Sequence, residues 1–344
     1  MDKTDVAILG CTGAVGQRFL ELLENHPMFN VKEICASDNS KGKTLEETGK
    51  IIGKVPQYAK KMKIKSVNDD IESIICFSAL PPDTAKKVEW DLVKKGKLVI
   101  SKAKTNRYEE DVPILIPEIN ADQLDLYIKR QKQKRKLKGF LITDPNCTTI
   151  GLALTLKPLI QFGINEIQMV SMQALSGGGY EALTNEKLKE NVIPFISGEE
   201  EKVVLESRKI LGTPNLNIFA ICNRVHVIDG HTETVHIKFD HEINVAQVKQ
   251  AMKNFTAEPQ KLKLPSAPNP VIVVSEENDR PQPKVDRNNG KGMAVTVGRI
   301  RKGIDNSSIA YTLVSHNTVR GAAGASILDA EYLVKTGKIN EMIK

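Results

Sequence analysis

The sequence predicts an α/β chain: an N-terminal parallel, doubly wound sheet, then a second, α+β domain, and a C-terminal helix that packs back on the first. Three features lead there. A strand, a glycine turn and a helix follow one another at the very start; short apolar runs then alternate with helical patterns to about residue 149; and beyond that point strand candidates succeed one another with few helices between them. A length of 344 residues suits two cores better than one. The expected segments are a first domain over 1–149, a second over 150–319, and a returning helix over 320–344.

Residues 6–9 (VAIL) form the first strand, GCTGAVG the turn, and QRFLELLENH a helix with Phe19, Leu20, Leu22 and Leu23 on its apolar side. Further strands are expected at 31–36, 71–79 and 97–101, with a helix from Pro82 or Asp83 through KKVEWDLVKKG. Residues 113–117 and 139–143 read as extended segments flanking a basic helix, and a second apolar helix starts just after Cys147. In the second domain strands are expected at 168–173, 225–227, 233–239, 271–274, 293–298 and 309–314, with helices near 199–210 and 244–254. That mixture implies an antiparallel or mixed sheet.

Hydrophobic residues make up 40% and charged residues 26% of the chain, enough apolar material for packed cores and enough charge for a wet surface. There is no apolar run of membrane-spanning length and no signal-peptide pattern, so a cytoplasmic protein without a membrane role is expected. Five cysteines at 11, 35, 76, 147 and 222 form no CxxC pair, which argues against a zinc site or disulfide framework. The net charge of +7 equals the seven basic residues of 129–138 (KRQKQKRKLK). The basic character is therefore local: a solvated helix end fits it better than a nucleic-acid surface, since few aromatics are interleaved for stacking.

Gly10, Gly13 and Gly16 set G-x-x-G-x-x-G between a strand and a helix. Glycines there permit the tight turn and let backbone amides approach a pyrophosphate, with the helix start adding positive potential. The N-terminal domain is thus expected to be Rossmann-like, with Gly10, Thr12, Gly13, Ala14 and Val15 contacting a dinucleotide. After the second strand Ser37 and Ser40 are placed to meet its ribose, and Lys41 or Lys43 to neutralise a 2′-phosphate, whereas Asp38 favours a free 2′-hydroxyl. NADP (NADPH) is the expected cofactor.

Cys147, in Pro145-Asn146-Cys147-Thr148-Thr149, stands where a strand gives way to a helix. Helix-start amides favour a thiolate, which suits a nucleophile better than a core filler. His231, in the polar turn Asp229-Gly230-His231-Thr232, is a candidate proton carrier near neutral pH.

GCTGAVGQRFLELLENHP, SALPPDTA, DPNCTTIG, QALSGGGY, GEEEKV, CNRVHVIDGHTE and HNTVRGAAGASIL carry, in order and across nearly the whole chain, a resemblance to the aspartate-semialdehyde dehydrogenases, particularly their archaeal and fungal branch. The resemblance implies a catalytic and dimerisation role for the second domain, with Cys147 as nucleophile, His231 as acid/base and Gln173 orienting the reacting group. It implies that Arg224 clamps the substrate carboxylate, that Glu199 meets the amino group, and that Lys202, Arg107, Asn146, Ser101 and Lys102 surround the phosphate. Ser176, Gly177, Gly178 and Asn317 would lie by the nicotinamide. Inorganic phosphate would be product or co-substrate, no metal would be needed, and a homodimer or homotetramer is implied.

Several positions depart from the family pattern. The phosphate-side segment, usually SNAS, is Ser101-Lys102-Ala103-Lys104; Asn39 stands where an arginine is frequent; and His226 and Gly177-Gly178-Gly179 replace NRVPV and GAG features. Lysine binds an anion as a point charge, so phosphate affinity can survive the exchange with altered geometry. The expected reaction is NADP-dependent reduction of aspartyl-4-phosphate to the semialdehyde through a cysteine thioester. The alternative is a malonyl-CoA-type acyl-CoA reductase using the same thiol.

Overall fold

The computed structural model describes residues 3–343, so the first two residues and the last residue of the expected segments lie outside it. The chain divides into two compact units. One comprises residues up to 115, 120–145 and 322 onward; the other comprises 116–119 and 146–321.

The first unit is built on a six-stranded parallel sheet of β1 (Thr4–Leu9), β2 (Phe29–Ala36), β3 (Lys65–Ser66), β4 (Ile75–Ser78), β5 (Leu98–Ser101) and β6 (Phe140–Thr143), in the order β3-β2-β1-β4-β5-β6. The order reverses beside β1, and in a doubly wound sheet that crevice is where a dinucleotide binds. Strands β1, β4, β5 and β6 are buried along nearly their whole length, which is why each reads as an unbroken apolar run. The helix Gly324–Lys335 belongs to this unit, and Ser326 donates to Asp144 at 2.5 Å.

The second unit holds a mixed seven-stranded sheet of β7 (Ile164–Gln173), β8 (Val192–Ile193), β9 (Asn217–Val225), β10 (His231–Phe239), β11 (Ile272–Val274), β12 (Val295–Lys302) and β13 (Ser308–Ser315), ordered β11-β12-β13-β10-β7-β9-β8. Its register matters for function. Gln173 pairs with Arg224 across β7 and β9, and His231 pairs with Ser315 across β10 and β13; Thr232 faces Met172, which sets His231 beside Gln173. Side chains two residues apart share a sheet face, so Arg224, Gln173, His231 and Ser315 form one row on one face.

Three expectations need correction. Residues 113–117 make a single bridge, Ile114 to Thr143, because Pro117 opens a short helix instead of extending a strand. The strand expected at 225–227 lies earlier, at 217–225, its NIFAICNRV having a half-exposed face that hides the alternation. The C-terminal helix begins at Gly324 and not 320, since Ala322 has non-helical φ −147° and ψ −108°. The basic helix spans Leu124–Arg135 and ends at Lys136, whose φ is +54°.

Two residues near the end of that basic helix meet acids. Arg135 reaches Asp111 and Glu109, both at 2.7 Å, and lies over the Trp90 ring; Lys134 meets Asp111 at 3.0 Å. The exposed end at Lys136 fits the solvated helix end expected of this stretch. Among the described residues no helix is long and apolar enough to cross a membrane.

Candidate active site

Cys147 is the first residue of the helix Cys147–Leu156, and its Sγ lies 3.1 Å from His231 Nε2, at the start of β10. The other ring nitrogen, Nδ1, accepts the Ala174 N–H at 3.0 Å. Nδ1 is thus unprotonated, and the neutral imidazole carries its proton on Nε2, directed at sulfur. His231 is fully buried; burial first, then Arg224 and His316, push its pKa down to about 3. In the free chain it is therefore a neutral hydrogen-bond donor toward the Cys147 sulfur.

Asn146 caps this helix: its Oδ1 accepts from Thr148 N–H at 2.9 Å and Thr149 N–H at 3.4 Å. Such a cap stabilises a helix by about 1 kcal/mol. Its Nδ2 donates to Glu199 at 2.9 Å, and its backbone N–H donates to the buried Glu206 at 2.6 Å. The residue before the nucleophile is consequently held at three points. Its Nδ2 carries two hydrogens, and Glu199 takes one of them.

Gln173 donates to Glu199 and to Ser171, both at 3.3 Å, and Glu199 pairs with Lys202 one turn along the helix Glu199–Leu211. Burial would raise the Glu199 pKa, but the bonds from Lys202, Asn146 and Gln173 outweigh it and hold the group below its ordinary value. It is a carboxylate suited to an amino group. Arg224 Nη1 donates to Ala174 O at 2.6 Å, so the one backbone unit of Ala174 orients both the imidazole and the guanidinium. A backbone role of that kind has no residue-type signal in a sequence.

Glycines make the approach possible. A Cβ on Gly177 would stand 2.9 Å from Arg224 Nη1 and 3.0 Å from the His231 ring; one on Gly321 would stand 2.7 Å from Cys147 Cβ. Asn317 bridges to the same loop, donating to Ser176 at 2.7 Å and accepting from Gly230 N–H at 2.8 Å. Sequence reasoning placed Ser176, Gly177, Gly178 and Asn317 at the site and missed Gly321 and Glu206. Gly321 sits in the RGAAG run that precedes the C-terminal helix.

In the first unit the glycine turn has the form a pyrophosphate requires. Gly10 has φ +80° and a Cβ there would press on Ala79 O at 2.6 Å; a Cβ on Gly16 would meet Gly10 O at 2.2 Å, while around Gly13 nothing lies nearer than 3.5 Å. The helix Ala14–Leu22 starts after Gly13 with no side-chain cap, leaving Thr12, Ala14 and Val15 beside open amides. Ser37 precedes the short turn Asp38–Ser40, with Ser40 buried. Asp38 accepts from Ser66, and Lys41 pairs with Asp69 at 2.6 Å.

Arg107 and Lys102 are brought together, Arg107 Nη2 donating to Lys102 O at 2.8 Å, and Lys102 Nζ lies 3.7 Å from the buried Asp144. Ser101 does not join them. Its hydroxyl is fully buried, donates to Glu89 at 2.6 Å and accepts from Ala103 N–H at 3.1 Å, because the last residue of β5 points into the core. Its assignment as a substrate contact is corrected to a structural one.

A parallel sheet with this glycine turn, joined in one chain to an α+β unit, places the protein among the nicotinamide-dependent Rossmann-type oxidoreductases. Family models agree: "Semialdehyde dehydrogenase, NAD binding domain" matches residues 5–127, and "Semialdehyde dehydrogenase, dimerisation domain" matches 156–320. An aspartate-semialdehyde dehydrogenase of Archaeoglobus fulgidus is 46% identical, over 97% of this chain and 98% of its own. The crystal structure of aspartate-semialdehyde dehydrogenase with NADP from Candida albicans superposes with a TM-score of 0.88 at 35% identity, covering 98% of this chain and 99% of that one. A malonyl-CoA reductase (NADP) of Metallosphaera sedula is 36% identical over 97% and 98%. The chain belongs to the aspartate-semialdehyde dehydrogenase family.

Proposed function

We propose that the chain, as a member of the archaeal and fungal branch, catalyses the reversible NADP-dependent reduction of L-aspartyl-4-phosphate to L-aspartate 4-semialdehyde and phosphate, feeding lysine, threonine and methionine synthesis. The observation that carries this is the 3.1 Å approach of Cys147 Sγ to His231 Nε2, in a row with Arg224 and Gln173.

The Cys147 thiolate, stabilised by the Nε2–H and by the helix start, attacks the acyl carbon. A sulfur–carbon bond forms, the carbon–oxygen bond to phosphate breaks, and phosphate leaves with the electron pair. A bound nicotinamide supplies the hydride that takes the resulting thioester to the aldehyde level. Arg224 fits the substrate α-carboxylate as a planar, bidentate donor, and Glu199 fits its ammonium group. Lys202, Arg107 and Lys102 supply cations for the phosphate.

His231 acts on the reacting oxygen through Nε2–H, since Nδ1 accepts the Ala174 N–H. The Nε2–H is placed to donate to the oxygen of the tetrahedral adduct, and as that oxygen re-forms a carbonyl the sulfur–carbon bond breaks and the Cys147 thiolate leaves.

A homodimer, or a dimer of dimers, fits the other face of the second unit's sheet, where Phe219, Ile221 and Val170 are exposed next to one another. The activity is tested by following NADPH formation from aspartate semialdehyde with and without inorganic phosphate, with NAD in a parallel arm. Strict phosphate dependence with NADP is expected; reduction of malonyl-CoA in its place would overturn the substrate assignment. In the same assay Arg224→Lys is expected to raise the KM for the semialdehyde by roughly 100-fold, since a point charge cannot replace the fork, with the KM for NADP within about twofold. Equal loss on both would refute the clamp.

A further inference from the structure

Below the row of Arg224, Gln173, His231 and Ser315, the next row on the same sheet face is Cys222, Ser171, Glu233 and Leu313. Glu233 is an anomaly. It is 0% exposed, and among the described residues neither carboxyl oxygen has a hydrogen-bond partner; the Ser315 hydroxyl lacks one too.

The ionisable groups around it are His231 on its own strand, Cys222 on β9, Tyr311 on β13 and Cys147 on the overlying helix. Arg224, in the upper row, is bound to Ala174 O, and Glu199, at the start of the helix Glu199–Leu211, is bound to Lys202, Asn146 and Gln173. Among the described residues no cation pairs with the Glu233 carboxyl, and burial alone pushes its pKa well above the ordinary carboxylate value. A dry, uncompensated carboxylate is far costlier than a neutral acid of the same shape.

What Glu233 touches is the nucleophile's helix. Gly151 lies one turn after Cys147, and a Cβ there would stand 3.0 Å from Ser315 Cβ and 3.4 Å from Glu233 Oε1. Helix and strand therefore meet twice, Cys147 against His231 and Gly151 against Glu233.

We propose that Glu233 is a positioning residue that works as an uncharged carboxylic acid, keeping its proton in the native chain and filling the contact between the helix Cys147–Leu156 and β10 so that Cys147 stays within reach of His231. This rests on the reading of Cys147 and His231 as the reacting pair. The linkage has a definite sign. Above about pH 4.3 the unfolded chain releases this proton while the native chain keeps it, so Glu233 makes stability fall as pH rises toward its native pKa. Glutamine, of the same shape and with no proton to lose, removes that slope.

The full chain and Glu233→Gln are compared by urea unfolding at one protein concentration from pH 5 to pH 8. The ratio of their unfolding constants, wild type over variant, is expected to rise with pH from the acid end of that range, by up to about tenfold per pH unit; a ratio flat throughout overturns the proposal, because Glu233 would then be ionised in the native chain. Positioning is read without substrate from the alkylation of Cys147 by iodoacetamide, the other four cysteines being buried. At pH 7 Glu233→Ala is expected to slow alkylation about fivefold or more as the sulfur loses its donor, and Glu233→Gln to restore the rate to within about twofold. Equal rates in all three proteins overturn the positioning role. If Glu233→Ala does not fold, Glu233→Gln alone decides through the unfolding ratio. Neither measurement uses the enzyme's substrate, so a failure of the aspartate-semialdehyde assay leaves both results standing.

Discussion

Cys147→Ala is expected to lower turnover by roughly 10⁴-fold, because removing the nucleophile of a covalent mechanism eliminates the easier two-step route entirely. The binding of NADPH, measured by fluorescence titration, should be unchanged within about twofold. The glycine turn at Gly10, Gly13 and Gly16 belongs to the first unit, whereas Cys147 belongs to the second, and alanine leaves the Asn146 cap in place. Substantial turnover in the variant would remove the thioester from the mechanism. Loss of NADPH binding alongside turnover would instead show that the substitution had disturbed the fold.

Gly321→Ala is expected to lower kcat by roughly 100-fold at little cost to cofactor binding. The added Cβ would sit 2.7 Å from Cys147 Cβ, 3.0 Å from its Cα and 3.2 Å from its carbonyl oxygen. Atoms of a helix backbone cannot swing aside as the end of a flexible side chain can, so the start of the helix Cys147–Leu156 must shift by a few tenths of an ångström to about 1 Å. A displacement of that size in a reacting group costs about 10² in rate. The informative control is the pH 7 alkylation of Cys147, which should fall with kcat as the Sγ to Nε2 contact of 3.1 Å lengthens. Normal kcat in Gly321→Ala would mean that the loop yields and the helix does not.

Both variants act where sequence and structure carry different amounts of information. Most strands of the first unit were legible because β1, β4, β5 and β6 are buried along nearly their whole length and read as apolar runs, whereas β3, two residues long, carries no such signal. The glycine turn at residues 10–16 was legible for the same local reason: backbone approach excludes every side chain but hydrogen at Gly10 and Gly16. Residues 217–225 were misplaced because their alternation runs through Phe219 and Ile221, apolar groups left on an exposed face. The family resemblance implies a phosphate contact for Ser101, and only the direction of its side chain, toward Glu89, shows otherwise.

The sequence by itself determined the two-domain α/β plan, the dinucleotide turn, and the identities of the candidate thiol and imidazole, since each is written in residue type, period and local spacing. The tertiary structure decided what stands beside what. Strand register, a property of pairing between distant segments, put Arg224, Gln173 and His231 in one row and Glu233 beneath it. Helix packing through Gly151 and Gly321 then brought Cys147 to that row. Hydrogen-bond partners, burial and proton location follow from those long-range contacts, which no local stretch of chain contains.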